Sequence, residues 1–176
     1  MPVTLVLTMI GDDRPGLVDA VSQSLADHGG NWEQSHMASL AGKFAGILRA
    51  SVPSDAVDAV TRDWRLLEQA GLRIMVERGA DGGSADRGWT LELEIVGQDH
   101  PGIVHDIAHA LAQHGVSVLE LESEVVSASM AGGQLLQARI SALAPDDLNE
   151  ETLRDDLEAL ANELMIDLSW SESKSD

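Results

Sequence analysis

Six residues, Gly11-Asp12-Asp13-Arg14-Pro15-Gly16, set a cation and two carboxylates on a proline–glycine turn, and the chain uses this pattern twice. It returns as Gly97-Gln98-Asp99-His100-Pro101-Gly102, 86 positions later. Each copy follows an apolar alternating run and precedes an amphipathic helical pattern, so each reads as a strand-to-helix turn. Proline suits the first helical turn, where its missing N–H has no partner to lose. Asp13 and Asp99 stand two residues earlier, where an N-cap side chain can reach free backbone N–H groups. Glycine lets a ligand approach the backbone closely. The predicted chemistry is recognition of a carboxylate or other small anion by backbone donors at the positive end of a helix. The rival reading is a capped βα turn that binds nothing.

The elements around each turn follow from periodicity. Val3 to Ile10 is an apolar first strand. After the turn, Leu17, Val18, Val21, Leu25 and Ala26 form a helical stripe that His28-Gly29-Gly30 ends. Asn31 to Leu40 and Phe44 to Val52 are strands joined by Ala41-Gly42-Lys43, which implies a hairpin. Ser54 is the expected N-cap of a second helix, with Val57, Val60, Trp64 and Leu67 on its inner face. Gly71 closes that helix, and Leu72, Ile74 and Val76 alternate as a fourth strand. The order βαββαβ is the ferredoxin-like pattern, an α+β fold.

The order then repeats. Trp89 to Val96 is a strand; Ile103, Val104, Ile107 and Leu111 form a helix stripe that His114-Gly115 ends. Val116 to Val126 and Leu135 to Leu143 are strands about a turn at Met130 to Gly133. Leu153, Leu157, Leu160 and Leu164 line a last helix, and Ile166, Leu168 and Trp170 a last strand. Between Gly11–Gly29 and Gly97–Gly115, nine of 19 positions are identical, which marks tandem copies of one domain. The expected boundaries are a first domain at 1–78, a glycine-rich linker at 79–88, a second domain at 89–171 and a polar tail at 172–176.

Composition narrows the function. Thirty acidic residues against 11 basic ones give a net charge of −19, which repels nucleic-acid backbones and anionic membranes. The absence of cysteine excludes disulfides, thiolate metal sites and a cysteine nucleophile. With no basic flank before an apolar core at the N-terminus, and no apolar run of spanning length, a soluble cytoplasmic protein is expected.

The series strand, G-x-D-x-P-G, helix, then glycine and an Asn opening a strand resembles the ACT domain. Gly11 to Leu17 and Asn31 to Ala38 carry most of the likeness. Two such domains with no catalytic domain between or beside them resemble the glycine cleavage system transcriptional repressor family. The resemblance implies regulatory modules that bind an amino acid where two domains meet, by packing of sheets or helices. It also implies action on a transcriptional activator by protein contact, with glycine as the signal and no grip on DNA. It places Gly11, Asp13, Arg14, Pro15, Gly16 and Leu17 at the ligand-facing turn. Asn31 is then the polar residue that reaches a ligand across the interface, with Trp32 bordering it. In the second copy Asp99, His100, Pro101, Gly102 and Ile103 hold the turn, and the shorter Ser117 replaces the Asn. No cofactor or metal is implied, and pairing is expected within the chain or in a homodimer.

Other constellations have plainer readings. His105 and His109, with His100 and Asp106, have partial metal-ligand spacing but lie off the apolar stripe, so a solvated face is the simpler account. Glu120, Glu122 and Glu124 share one strand face and could meet a basic partner or only water. Glu33 and His36 could face a ligand or form a sheet-surface pair. A non-enzymatic amino-acid sensor is the leading reading. Its rivals are a ligand-free interaction module of the same fold and an acyl-phosphate hydrolase that casts Arg14 and Asn31 on the phosphate.

Overall fold

The computed structural model describes residues 1–79, 88–128 and 132–173. The bulk of the expected linker (80–87), the centre of the turn near Met130 (129–131) and the end of the tail (174–176) lie outside the described residues. The chain divides into two compact units, Met1–Ser84 and Ala85–Asp176.

In the first unit, β1 (Pro2–Asp12) leads to α1 (Leu17–Asp27), then β2 (Asn31–Leu40), β3 (Lys43–Pro53), α2 (Val57–Gln69) and β4 (Leu72–Arg78). The sheet order is β2-β3-β1-β4, and each of β1–β3, β1–β4 and β2–β3 is antiparallel. The second unit repeats this with β5 (Trp89–Gln98), α3 (Ile103–Gln113), β6 (Ser117–Ser127), β7 (Gln134–Ala144), α4 (Glu150–Leu164) and β8 (Ile166–Ser173), in the order β6-β7-β5-β8. Both units are the ferredoxin-like fold expected from periodicity.

Each core lies between one sheet face and two helices. Leu5, Leu7 and Met9 of β1 alternate inward and meet Leu17, Val21 and Leu25 of α1 and Val60 and Trp64 of α2. The second core has the same plan, with Leu91, Leu93 and Ile95 under Ile103, Ile107 and Leu111. Val18, Ala26 and Val104 are exposed rather than part of the stripes. Each follows a buried residue by one position, a rotation of about 100° that carries it off the sheet-facing side. His28 Nε2 lies 2.8 Å from Asp63 Oδ2, and His114 Nε2 lies 2.7 Å from Asp156 Oδ2, so each first helix is tied to its second at the same place.

Three expected caps are corrected. The N-cap residue of α1 is Gly16 (φ 92°) and that of α3 is Gly102 (φ 102°), with no side-chain cap at either. Asp13 and Asp99 stand too early to cap. Their amides still belong to the sheet end, donating to Gly42 O and Gln134 O at 2.9 Å. Pro15 and Pro101 sit in the turn before the N-cap rather than in the first helical turn. Ser54 does not cap α2 either: Ala56 is the N-cap residue, in a turn closed by its own N–H to Pro53 O at 2.9 Å. A side-chain cap is present on α4, where Asn149 accepts from Thr152 N at 3.2 Å.

Candidate functional site

At the end of β1 the chain must leave the sheet and turn onto it as a helix. Gly16 supplies the left-handed conformation that a side chain disfavours. The first backbone bond of the turn runs from Ala20 N to Gly16 O at 3.0 Å, so the amides of Leu17, Val18 and Asp19 open the helix without a side-chain cap. At the first of them lies a cleft of about 100 Å³, bounded by Arg14, Pro15, Gly16, Leu17, Ala20, Leu67, Ala70 and Leu72. That is room for a few heavy atoms, since a water occupies about 30 Å³ of liquid.

Arg14 has a partner that sequence reasoning missed. Its guanidinium donates to the carbonyl of Ala70, the residue that ends α2. In the second unit His100 Nε2 lies 3.3 Å from Leu164 O, at the end of α4. Ala70 and Leu164 each stand two residues before the last strand of their unit. The side chain at this turn position thus satisfies a helix-terminal carbonyl in both copies. Alignment of the repeats with the strand register would have paired these positions; local spacing alone does not.

Gly11 and Gly97 serve the sheet. Gly11 is buried, and a Cβ there would stand 2.6 Å from Gly71 O. A Cβ on Gly97 would stand 2.4 Å from Ile166 Cγ2. Their lack of a side chain admits the neighbouring strand, not a ligand. At Gly16, by contrast, a Cβ would meet nothing within 4 Å.

Asn31 and Trp32 are not brought to the turn of their own domain. Asn31 pairs with Ser51, and Ser51 with Thr4 at the start of β1. The turn follows Asp12 at its other end. Eight residues of strand separate the two rows, about 26 Å. Ser117 is displaced from the Asp99–Ile103 turn in the same way, paired with Leu143 next to Thr90. Trp32 is half-buried against the first core, and its indole N–H donates to Ser35 Oγ at 3.2 Å. Trp64 is fully buried, and among the described residues its indole N–H has no hydrogen-bond partner.

The remaining constellations resolve into surface features. His105 and His109 stack with ring centroids 6.0 Å apart, and among the described residues no three metal-ligating side chains cluster. Glu33 pairs with Arg49 at 3.1 Å across the β2–β3 edge. Glu120, Glu122 and Glu124 lie on the exposed sheet face of the second unit. Glu122 and Glu124, with Glu94 and Arg139, border a shallow depression of about 540 Å³. Among the described residues no helix is long and apolar enough to cross a membrane.

Comparison with known proteins agrees with this architecture. The family model of the ACT domain matches residues 3–77 and again 90–171. The glycine cleavage system transcriptional repressor of Escherichia coli (strain K12) is 24% identical over 161 residues, covering 91% of this chain and 85% of that protein. A crystal structure of an unknown protein from Galdieria sulphuraria superposes with a TM-score of 0.86 at 30% identity, over 99% of this chain and all of that one. A structure described as a candidate glycine cleavage system transcriptional repressor superposes with a TM-score of 0.73 at 22% identity, over 99% of both chains. With both of its folded units matched, the chain belongs to the ACT domain family and carries that domain twice.

Proposed function

We propose that the chain is a non-enzymatic regulator that binds a small amino acid at the turn of its first domain and acts on transcription by contact with another protein. The observation that carries this reading is the uncapped start of α1 beside a cleft sized for a few heavy atoms. The ligand carboxylate meets the amides of Leu17 to Asp19, with Arg14 at the rim. Asp13 and Asn31 take the ammonium end; since Asn31 and Trp32 lie at the far end of their own sheet, they come from the first domain of a second copy. Kinship with the glycine cleavage system transcriptional repressor supports the regulatory role and makes glycine the first ligand to try.

The test is calorimetry of the full chain with glycine, serine and the branched amino acids, beside Gly16→Gln. The glutamine has open space but a strained backbone, so the fold survives at a cost of about 1–2 kcal/mol. The expected result is saturable binding to the native chain and none to the variant. No heat with any amino acid at millimolar concentration sinks the sensor. In that case the ligand-free interaction module stands, a reading favoured by the structural duty of Arg14 and His100 at both turns. The acyl-phosphate hydrolase is disfavoured, because Arg14 and Asn31 stand at opposite ends of one sheet.

A further inference from the structure

The open sheet face of the second domain, turned away from α3 and α4, forms a trough over β7. Gln137, Arg139 and Ser141 line its floor. On the β6 side Glu120 stands beside Ser141, Glu122 beside Arg139 and Glu124 beside Gln137. On the β5 side Glu92 stands beside Ser141 and Glu94 beside Arg139. The two rows of carboxylates lie two strand spacings apart, about 10 Å, and neighbours within a row are about 7 Å apart. Two adjoining hollows of about 540 and 270 Å³ lie between them, and together they touch all five glutamates.

The charges in this trough are unbalanced. Arg139 donates to Glu94 at 3.1 Å, and Ser141 Oγ donates to Glu92 at 2.7 Å. Glu120, Glu122 and Glu124 are exposed and make no ion pair among the described residues. Carboxylates in line about 7 Å apart repel one another until a cation meets them. The fold does not require them. In the first domain the five equivalent positions are Gln34, His36, Ala38, Val6 and Thr8, on the same topology and without one carboxylate. Residues 88–176 hold 18 of the 30 acidic residues and 3 of the 11 basic ones, so the surplus charge sits in the domain that carries the trough.

We propose that this trough seats a basic α-helix of a partner protein, lying along β7 with lysine or arginine on both flanks of one face. A helix with its side chains is about 10–12 Å across, which fits the separation of the two rows. Its residues i and i+4 stand about 6 Å apart along the axis, close to the spacing of carboxylates within a row. Glu120 to Glu124 spans about 13 Å, or about two and a half turns. Long basic side chains lay their methylene stems over the floor and carry their charges to the walls. Arg139 on the floor opposes a basic residue pointing straight down, so the downward positions of the helix are small or polar. A nucleic acid or an anionic bilayer has the same sign as the walls and is repelled. The inference rests on the reading that the chain acts by protein contact and names the chemistry of that contact. It needs no bound amino acid, so peptide titration and amino-acid calorimetry fail separately.

The experiment titrates the full chain into a labelled, alanine-based helical peptide that carries arginine on two flanks of one face, read by fluorescence anisotropy at low salt. The native chain binds it saturably, one peptide per chain. Glu120→Gln/Glu122→Gln/Glu124→Gln weakens binding about tenfold or more, with the fold intact by circular dichroism. Asp155→Asn/Glu158→Gln/Glu163→Gln removes the same charge from exposed positions of α4 and changes binding less than about twofold. A peptide of the same composition with its arginines spread around the helix binds about tenfold more weakly. Equal losses from the two glutamate sets, equal affinity for the two peptides, or no saturable binding overturns the proposal. So does equal binding of a proline-interrupted peptide of the same charge, because an extended segment and not a helix would then fit the face.

Discussion

The two halves of this chain are one fold written twice, and they agree or differ by region. They agree at the turn glycines, at the side chain that reaches the end of the second helix, and at the histidine–aspartate tie between helices. They differ on the open sheet. Val6 and Thr8 in the first copy stand where the second has Glu92 and Glu94; His36 and Ala38 stand where it has Glu122 and Glu124. Since both sheets have the same topology, neither surface is required by the fold. The shared features build the domain. The differing ones decide what each domain touches, and a −19 chain that leaves one face nearly free of net charge has set that face apart.

The largest effect expected from breaking the shared frame is at the strand glycines. Gly11→Ala drives a Cβ against a backbone carbonyl that cannot step aside, and should cost about 3 kcal/mol in urea unfolding. Gly97→Ala, pressed on the side chain and Cα of Ile166, should behave alike in its own domain.

Next is a place where the frame is imperfectly copied. Gly71 adopts φ 87° just after α2, and the exposed Met165 holds φ 53° at the matching place after α4. Met165→Gly should stabilise the second domain by about 1 kcal/mol, and Gly71→Met should destabilise the first by a similar amount. Thermal melts of the pair would read the two signs; equal signs would break the comparison.

Smaller still is the reach to the helix end. Arg14→Ala should cost about 1 kcal/mol by leaving the Ala70 carbonyl to water, and His100→Ala less. The least effect belongs to Asp12, whose carboxyl is held below the usual carboxylate range by the hydrogen bond and charge of Lys43. A depressed carboxylate adds stability at neutral pH that is lost as pH falls through its folded value. The second copy has Gln98 and Leu135 at these positions. Asp12→Gln/Lys43→Leu should therefore lower stability slightly at neutral pH and leave the acid end unchanged, flattening the acid limb, and added salt should shrink the difference.

Most of the frame was legible in the sequence because its signals are local. Alternation in Leu5, Leu7 and Met9 and the three-and-four spacing of Leu17, Val21 and Leu25 mark core-facing positions before any coordinates. The glycine–proline turn and the repeat gave the topology. The capping expectation failed because Asp13 and Ser54 have the right chemistry at the wrong place: the chain spends three more residues turning before α1 begins and two more before α2. The separation of Asn31 from its own turn was illegible for another reason. It depends on β3 lying between β2 and β1, a fact of sheet order that neighbours in sequence do not reveal. The acidic open face was half visible, since Glu120, Glu122 and Glu124 alternate. The apolar one was hidden, because Val6 and Ile10 read equally well as core until the single layer of helices is seen.

One guanidinium spans the first turn and the tail of α2. Were the proposed ligand's carboxylate to recruit Arg14 away from Ala70, the last turn of α2 would loosen as the cleft fills. Occupancy and fraying would then be two readings of one event, and amide exchange at Leu67 to Gly71 would report the proposed ligand from the far side of the cleft. By the same linkage, a partner that held that helix end firm would loosen the grip on the proposed amino acid, and messenger and listener would negotiate through a single side chain.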